Sequence, residues 1–373
     1  MRIAHVSDTH LGYKQYNLDI REQDFYDAFH QVIDKCLEER VDVIIHAGDL
    51  FDNYHPPIKA LLSFKEGIDK LNGKIKFLTV LGEHDIPKRK AKIPHELFNI
   101  QILGKSLSLE SIKIEDVLFA GISNLRTMNK EHLKKELKIF DKIAENSKNS
   151  VLILHQAIKK YLPFKGVYQL TLDDLPKKAN YYALGHIHAT NILKFGEGYL
   201  VYSGATEIKK QDEITTWQKK GKGFYIVDIE DGNVEYEFIP LDIRPQLRLE
   251  LEASEVKDLP KYLEKENKPV VNLKIYGKDL DRALIQQNVE KLLKNKVIYH
   301  KIRFSEKKSK EIKISKDNYD LQAIFVEHFE DEKMGQFAKG LYDDLSKGNK
   351  DSAINLANKY FKEEFIEDDI EKN

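Results

Sequence analysis

The chain has 373 residues, of which 41% are hydrophobic and 32% are charged, and its formal net charge is −1. This length predicts roughly two or three domains with a sizeable core. The near-neutral charge excludes a general attraction to nucleic acid or to anionic membranes, so any such contact needs local basic patches. The one cysteine, Cys36, excludes an intramolecular disulfide. We expect a cytoplasmic protein without membrane contact, because no apolar stretch is long enough to cross a bilayer and the first strand begins too early for a signal peptide.

Residues 1–241 alternate between strand-like and helical segments. Strands are predicted by the apolar runs RIAHVS, VDVIIHA, IKFLTVL, SVLIL and NYYAL, and helical periodicity is found at 22–39, 57–72 and 129–147. Residues 199–207, 221–232 and 234–241 have the pattern of antiparallel strands. We therefore predict an α/β fold in which two sheets pack face to face with helices outside, an α-β-β-α layered core.

The remainder of the chain predicts smaller parts. We predict a small α+β cap domain at residues 242–305, with helices near 257–266 and 279–295. A charged linker is predicted at 306–317, a helical segment at 318–366 and an acidic tail at 367–373. The helical segment predicts two amphipathic helices, with apolar positions that include Leu321, Ile324, Phe325, Phe329, Leu356, Tyr360 and Phe361. Two such helices bury little of their apolar faces on each other, so the main body or a partner is expected to cover them.

Polar side chains follow five of the predicted strands. Because the carboxyl ends of strands in an open α/β sheet are where ligand sites form, we expect these side chains to meet at one edge. They are Asp8, His10, Asp49, Glu83, His84, His155, His186 and His188. The donors are too many for one metal ion and suit two. Mixed carboxylate and imidazole donors favour Mn, Fe or Zn over Ca or Mg, and the absence of cysteine among them argues against a structural zinc site.

Two divalent ions roughly 3.5–4 Å apart are suited to hydrolysis of a phosphodiester, because a bridging water loses its proton easily and the ions offset charge on the phosphate. A carboxylate that spans both ions is needed to hold them so close. Asp49, which follows Gly48 at a strand end, is the candidate. We expect two divalent ions per chain, with Mn²⁺ as the preferred one.

The ordered motifs D-x-H, GD, G-x-H-D, H and G-H-x-H resemble those of the calcineurin-like metallophosphoesterases. The segments DTHLGYKQYNLDIREQDFYDAF, HAGDLFDN, YYALGHIHA and YSGATE resemble more closely the SbcD-type nucleases of DNA double-strand-break repair, the meiotic-recombination-eleven family. The resemblance covers residues 1–240 strongly and the rest by layout. It implies a two-metal DNA nuclease that acts as an exonuclease on duplex ends and as an endonuclease on single strands.

The resemblance also implies a role for each site residue. One ion would be held by Asp8, His10, Asp49 and His188, and the other by Asp49, His155, His186 and the residue at position 83. His84 would lie over the scissile phosphate, where it stabilises charge or protonates the leaving oxygen.

Two positions depart from the family pattern. Glu83 stands where the family usually has Asn, which predicts altered affinity at the second ion and slower chemistry. Asp52 stands where some relatives carry a histidine that supports exonuclease action. His5 and His46 lie in predicted strands near the site and are interpreted as histidines of the core or behind the ligands.

Three surfaces are further hypotheses. Contacts to DNA are predicted for Tyr13, Lys14, Lys88, Arg89 and Lys90, with ordinary loop exposure as the alternative. A two-fold homodimer through Leu61, Leu62, Leu97 and Phe98 is implied by the resemblance, with core packing as the alternative. The resemblance further implies that the cap domain binds DNA ends and that the C-terminal helices bind an SMC-like coiled-coil repair ATPase, with packing on the protein's own body as the alternative.

Two other functions stay open at this point. Glu83 and Asp52 motivate a scaffold that binds and bridges DNA ends with weak nuclease activity. A phosphatase or phosphodiesterase for small substrates is the other alternative, although GDLFDN lacks the GD-x-x-DRG pattern of protein phosphatases.

Overall fold

The computed structural model describes residues 1–87, 92–124, 130–162, 168–263, 267–306, 321–329, 331–346 and 349–365, with backbone alone at 327 and 361–365. The chain divides into two compact units. The first comprises Met1–Leu249, Asp258–Leu273 and Lys291–Lys301, and the second comprises Glu250–Lys257, Lys274–Glu290 and the described residues from Ile302 onward. The functional boundaries predicted at residues 241 and 305 remain predictions, and the predicted linker and acidic tail lie almost entirely outside the described residues.

The first sheet of the first unit is built around parallel strands. These are β1 (Arg2–Val6), β2 (Val43–His46), β3 (Lys76–Thr79) and β4 (Gln101–Ile102). Two later strands, β11 (Gly223–Glu230) and β12 (Asn233–Pro240), extend it with antiparallel pairing. The order is β12-β11-β1-β2-β3-β4, so the carboxyl ends of the parallel strands share one edge.

The second sheet has the same plan. Its parallel strands are β6 (Val117–Ile122), β7 (Asn149–His155), β8 (Tyr181–Gly185) and β10 (Gly198–Tyr202). Antiparallel edges are formed by β5 (Glu110–Ile114) and β9 (Asn191–Phe195), in the order β5-β6-β7-β8-β10-β9. The run from 149 to 155 is buried throughout, as expected for a strand covered on both faces.

Helices cover the outer faces of both sheets. Helices α1 (Asp19–Glu38) and α2 (Ile58–Leu71) share a core with the first sheet, and α3 (Lys130–Ile143) shares one with the second. A third core lies between the sheets, where Ile45 and Val80 of the first pack with Phe119 and Ile153 of the second. Alternate residues of each strand thus face a helix layer or the other sheet. The predicted α-β-β-α core is confirmed.

The remaining elements are shorter. Helix α4 (Glu213–Lys220) follows the second sheet, and a three-stranded sheet has the strands β13 (Gln246–Glu252), β14 (Val270–Tyr276) and β15 (Tyr299–Ser305) in that order. Helix α5 spans Arg282–Leu293. Where a helix was predicted near 257–266, the described residues Ala253–Tyr262 form a 3-10 helix that contains Pro260, which cannot donate an α-helical hydrogen bond.

The C-terminal segment contains three described helices rather than the predicted two. They are α6 (Leu321–Phe329), α7 (Glu332–Ser346) and α8 (Lys350–Phe365). Helix α7 was missed because Gly335 and Gly340 lower its helix propensity. The structure needs the glycine at 335, since a Cβ there would collide with the backbone of Val326, whereas a Cβ at Gly340 would meet only the end of the Leu356 side chain. Among the described helices, none is long and apolar enough to span a membrane.

Candidate metal centre

The carboxyl ends of five parallel strands bring the predicted donors to one edge of the two sheets. Asp8, His10, Asp49 and His155 are buried there, His186 and His188 are half-buried, and Glu83 and His84 are exposed. These residues are separated by up to 180 positions in the chain, so the order of strands within each sheet and the packing of the two sheets face to face bring them together. The predicted meeting of strand ends at one edge is what the topology produces.

Three overlapping groups of side chains can each hold a metal ion. In each group the ligand atoms lie within 4.8 Å of one another, and the groups are Asp8–His10–His188, His10–Asp49–His84 and Asp8–Asp49–His155. The Nε2 atoms of His10 and His188 are 3.2 Å apart, and Nε2 of His155 lies 3.4 Å from Oδ2 of Asp49. Asp8, His10 and Asp49 each belong to two groups, so the groups share donors, and Asp49 is the carboxylate that was predicted to span both ions.

His155 shows that a cation fits this centre. Its Nδ1–H donates to the carbonyl oxygen of Ala47 at 2.7 Å, which leaves Nε2 turned toward the carboxylates of Asp8 and Asp49. That Nε2 is buried and has no hydrogen-bond partner within the described part of the chain. A buried polar atom without a partner is costly unless it binds something, so His155 is arranged as a metal ligand.

The ionisation of the centre without metal supports the same conclusion. Burial alone would lower the pKa of His155, but the negative charge of Asp49, 3.4 Å away, outweighs it and raises the pKa to about 10. Burial would raise the pKa of Asp8 and Asp49, and the neighbouring histidines overcome this and lower both. The two carboxylates are therefore ionised, and the proton on His155 supplies part of the positive charge that they require.

Three glycines beside the ligands leave room for this packing. A Cβ on Gly48 would lie 2.5 Å from Nδ1 of His155, one on Gly82 would collide with Asp49, and one on Gly185 would collide with the carbonyl oxygen of Ala47. The glycines of GD, GEHD and GHIH are therefore required by close approach between strand ends.

The backbone at several ligands is strained. Positive φ values occur at Asp8 (52°), His10 (45°), Asp49 (56°) and His186 (85°). Non-glycine residues rarely adopt this left-handed region, and such strain of order 1–3 kcal/mol per residue is concentrated at functional sites. The sharp turn after each strand end points these side chains toward one another.

Glu83 and His186 lie outside the three donor groups formed by the described residues. The ring of His186 is nevertheless next to His155, with centroids 5.2 Å apart, and its backbone N–H donates to both oxygens of Asp8. Glu83 is an exposed residue of the loop after β3. The assignment of both residues to the second ion stays a prediction.

His84 lies on the open side of the centre. Its backbone N–H donates to Oδ1 of Asp49 at 2.8 Å, and its Nδ1 donates to the carbonyl oxygen of Asp52 at 2.6 Å. With Nδ1 engaged, Nε2 is the nitrogen left for chemistry. His84 is exposed and also packs edge-on against His10, so its ring borders both the ligands and solvent.

Sequence analysis missed residues that support the ligands. Asp85 accepts backbone hydrogen bonds from Gly82, Leu50 and Phe51, which ties the GD and GEHD loops together. Its one sequence signal was its place in the GEHD motif.

Two further carboxylates lie behind the histidines and were also missed as supports. Burial would raise the pKa of Asp52, but His10 and Lys209 lower it to about 2. Burial would likewise raise the pKa of Glu213, but Lys222 and His188 lower it strongly. No pattern pointed to Glu213 and Lys222, because helix α4 was not predicted.

The residues predicted to contact DNA give a mixed picture. Tyr13 is half-buried against Phe25, with ring centroids 5.4 Å apart, and Lys14 forms an ion pair with Asp19 at 2.5 Å. Lys88, Arg89 and Lys90 lie outside the described residues. The DNA contacts therefore stay predictions.

The residues predicted for a dimer fall into two pairs. Leu61 and Phe98 are partly buried and pack against the core beneath α2. Leu62 and Leu97 are 53% and 72% exposed, and Ile58, which was not predicted, is 74% exposed. On helix α2 and in the 3-10 helix Pro94–Leu97, the exposed large apolar side chains among the described residues are therefore Ile58, Leu62 and Leu97.

Several residues predicted to bind a partner pack within the C-terminal helices instead. Tyr360 stacks on Phe337 with centroids 4.1 Å apart, and Phe325 lies 6.1 Å from Tyr342. Leu356 contacts α7 at Gly340, and Leu321 and Ile324 are half-buried. Phe329 is 43% exposed, and the side chain of Phe361 lies outside the described residues.

Several known proteins have sequences similar to this chain. Residues 1–190 match the family described as calcineurin-like phosphoesterase. The chain is 37% identical over 349 residues to the DNA double-strand break repair protein Mre11 of Thermoplasma acidophilum, covering 90% of this chain and 91% of that protein. It is 39% identical over 285 residues to Mre11 of Methanocaldococcus jannaschii, covering 74% and 76%. Identity to Mre11 of Methanococcus maripaludis is 30% over 381 residues, covering 97% and 99%.

Proposed function

The chain belongs to the Mre11 family of DNA double-strand break repair nucleases within the calcineurin-like metallophosphoesterases, and we propose that it cleaves DNA with two ions held at the strand ends. It is a metal-dependent phosphodiesterase. The proposal adds that it acts as an exonuclease on duplex ends and as an endonuclease on single strands, with Mn²⁺ as the preferred ion. The observation that carries it is the set of three overlapping donor groups, one of which includes the exposed His84.

The proposed ligands are those implied by the family motifs. Asp8, His10, Asp49 and His188 would hold the first ion, and Asp49, His155, His186 and Glu83 the second. When bound, the ions supply a nucleophilic hydroxide and offset charge on the phosphate oxygens. The buried carboxylates of Asp8 and Asp49 would hold the positively charged ions, and Asp85 keeps the loops around them ordered through its backbone hydrogen bonds.

His84 is proposed to act on the phosphate rather than as a ligand. Its ring is held by the hydrogen bond from Nδ1 to the carbonyl oxygen of Asp52, so the doubly protonated ring is the form whose Nε2–H would donate to a non-bridging oxygen or protonate the leaving oxygen. Its proximity to His10 and Asp49 would also allow ligation, and mutation distinguishes the two roles because loss of a ligand lowers metal affinity.

A second candidate function rests on Glu83. Its side chain lies outside the donor groups of the described residues, and it carries a charge where the family usually has a neutral amide. A chain with a weak second ion would bind and bridge DNA ends while cutting slowly. Restoration of cleavage by Glu83→Asn would favour this function.

The test is cleavage of end-labelled single- and double-stranded DNA in Mn²⁺. We expect wild type to cleave, His84→Ala to lose about 10²–10⁴-fold in rate at unchanged Mn²⁺ affinity, and Glu83→Asn to increase the rate. Matched controls are His132, whose side chain is 40% exposed, and the exposed Glu145, as His132→Ala and Glu145→Asn, which should cleave like wild type. Hydrolysis of p-nitrophenyl phosphate esters without cleavage of DNA would point to a small-substrate phosphoesterase and contradict the proposal.

Partners are also part of the proposal. We propose a homodimer through the exposed Ile58, Leu62 and Leu97, and an SMC-like coiled-coil ATPase on the C-terminal helices. Leu345 and Ile354, 58% and 57% exposed, join Phe329 as apolar positions on these helices. Contiguous apolar patches mark protein interfaces, so the proposal requires the exposed apolar side chains on each surface to lie together.

A further inference from the structure

We propose that Asp52 and Glu213, each paired with a buried lysine, are positioning residues that hold His10 and His188 in the tautomer able to bind a metal ion. This inference rests on the proposed two-ion function. It assigns a role to four side chains, Asp52, Lys209, Glu213 and Lys222, that no ligand assignment includes.

The two histidines face each other through the same nitrogen. Their Nε2 atoms are 3.2 Å apart, and both are near Asp8 or Asp49. Two ligand atoms of one ion, each about 2.1 Å from it, have separations of about 3.0–3.4 Å. An imidazole binds a cation through a nitrogen without hydrogen, so each ring must carry its hydrogen on Nδ1.

Glu213 provides the acceptor for this hydrogen on His188. Its Oε1 lies 2.8 Å from Nδ1 of His188 and also accepts the backbone N–H of Lys210 at 3.0 Å. Its Oε2 lies 2.5 Å from Nζ of Lys222, which also donates to the carbonyl oxygen of His188 at 2.9 Å. Both oxygens of this buried carboxylate are engaged, so the imidazole has one well-defined orientation.

The arrangement at His10 has the same components, but the distance from the carboxylate to the imidazole is longer. Oδ1 of Asp52 lies 3.5 Å from Nδ1 of His10, beyond ordinary hydrogen-bond length. Nζ of Lys209 is 2.7 Å from that oxygen and 3.1 Å from the same Nδ1. An ammonium donates only, so a bond from Lys209 to Nδ1 would place the hydrogen of the ring on Nε2 and block metal binding.

Asp52 and Lys209 therefore act in opposite directions on His10. Asp52 favours the metal-binding tautomer because its negative charge lies on the Nδ1 side of the ring and because its carboxylate holds the ammonium of Lys209. Lys209 favours the other tautomer and places a positive charge beside the ion. Removing Asp52 should weaken the first ion, and removing the charge of Lys209 should strengthen it. A purely structural lysine would give the opposite sign, since its loss would loosen the site.

The experiment is calorimetric titration of the full chain with Mn²⁺ for wild type, E213Q, D52N and K209M. We expect E213Q and D52N to weaken the first ion about 10–100-fold, with E213D recovering part of the loss, and K209M to strengthen it. The double variant E213Q/K222M removes the lysine that E213Q leaves unpaired. Glu110, whose carboxylate accepts the backbone N–H of Gly104 away from the centre, gives the matched control E110Q.

A second measurement does not depend on bound metal. Nitrogen NMR shifts of His188 in the metal-free chain should show Nδ1–H in wild type and a shift toward Nε2–H in E213Q. If wild type binds two Mn²⁺ ions and E213Q and D52N bind them with the affinity of wild type, this inference is overturned and the two-ion function stands. Weaker binding in K209M would overturn the role of Lys209. Fewer than two ions in wild type would overturn the two-ion function, and this inference with it.

Discussion

His5 and His46 show how single residues at this site respond to pH. Both are fully buried in adjacent strands, where His5 contacts the hydroxyl of Tyr181 at 2.9 Å and His46 contacts that of Thr9 at 3.1 Å. Burial lowers the pKa of each to about 3 from an ordinary value of 6.5. Each is therefore neutral in the folded protein at pH values where the unfolded chain binds a proton.

The sign of the pH effect follows from this difference. The unfolded chain takes up a proton below pH 6.5 and the folded histidine does not until about pH 3, so the contribution of each histidine to stability is present above 6.5 and falls between these values. We predict that His5→Gln reduces the pH slope of the unfolding free energy by about 1.4 kcal/mol per pH unit between pH 5.5 and 4. Denaturant titrations in EDTA measure this. The control His132→Gln, on a side chain of helix α3 that is 40% exposed, should keep the wild-type slope. An unchanged slope in His5→Gln would show that His5 is already protonated in the folded state.

At the scale of elements, the loop after β3 depends on the absence of a Cβ atom at Gly82. A Cβ at Gly82 would collide with both the carboxylate and the backbone nitrogen of Asp49. Gly73, which precedes the same strand, has open space around its Cβ position but a φ of +68°. Substitutions at these two glycines therefore distinguish the effect of close packing from the effect of backbone strain.

We predict that Gly82→Ala loses Mn²⁺ binding because Asp49 is displaced. Gly73→Ala should keep it and lose only about 1–2 kcal/mol of stability from the left-handed conformation. Thermal unfolding and Mn²⁺ titration of both variants provide the comparison. Normal binding by Gly82→Ala would mean that Asp49 tolerates displacement and is less central than proposed.

The elements also show how far sequence predicts this molecule. The layered core and its donors were predictable because each strand is an apolar run ending in polar residues. The supports of the histidines were not, because Lys209 lies 199 positions from His10 and Glu213 begins a short helix without a strong pattern. Helix α7 was not predicted because its glycines lower helix propensity, and their role in close packing with neighbouring helices is visible only in the fold. Local pattern predicts elements, whereas contacts distant in sequence need the fold.

At the scale of the whole molecule, an exposed apolar surface on and beside α2 predicts assembly. We predict that Leu97→Asp converts a homodimer into a monomer, because it places a charge in an interface that would otherwise exclude water. Analytical ultracentrifugation of wild type and variant measures this. Ile139 on α3 is 44% exposed, and Ile139→Asp is the matched control that should leave the assembly unchanged. A monomeric wild type at micromolar concentration would contradict the proposed dimer.

The proposed nuclease activity rests on two ions that share Asp49. The most direct measurement is anomalous diffraction at the manganese edge from crystals soaked in Mn²⁺. We predict two peaks, one touching Asp8, His10 and His188 and the other touching His155, His186 and Glu83, with Asp49 between them. A single peak, or a second peak that Glu83 and His186 do not contact, would contradict the two-ion centre proposed for this chain.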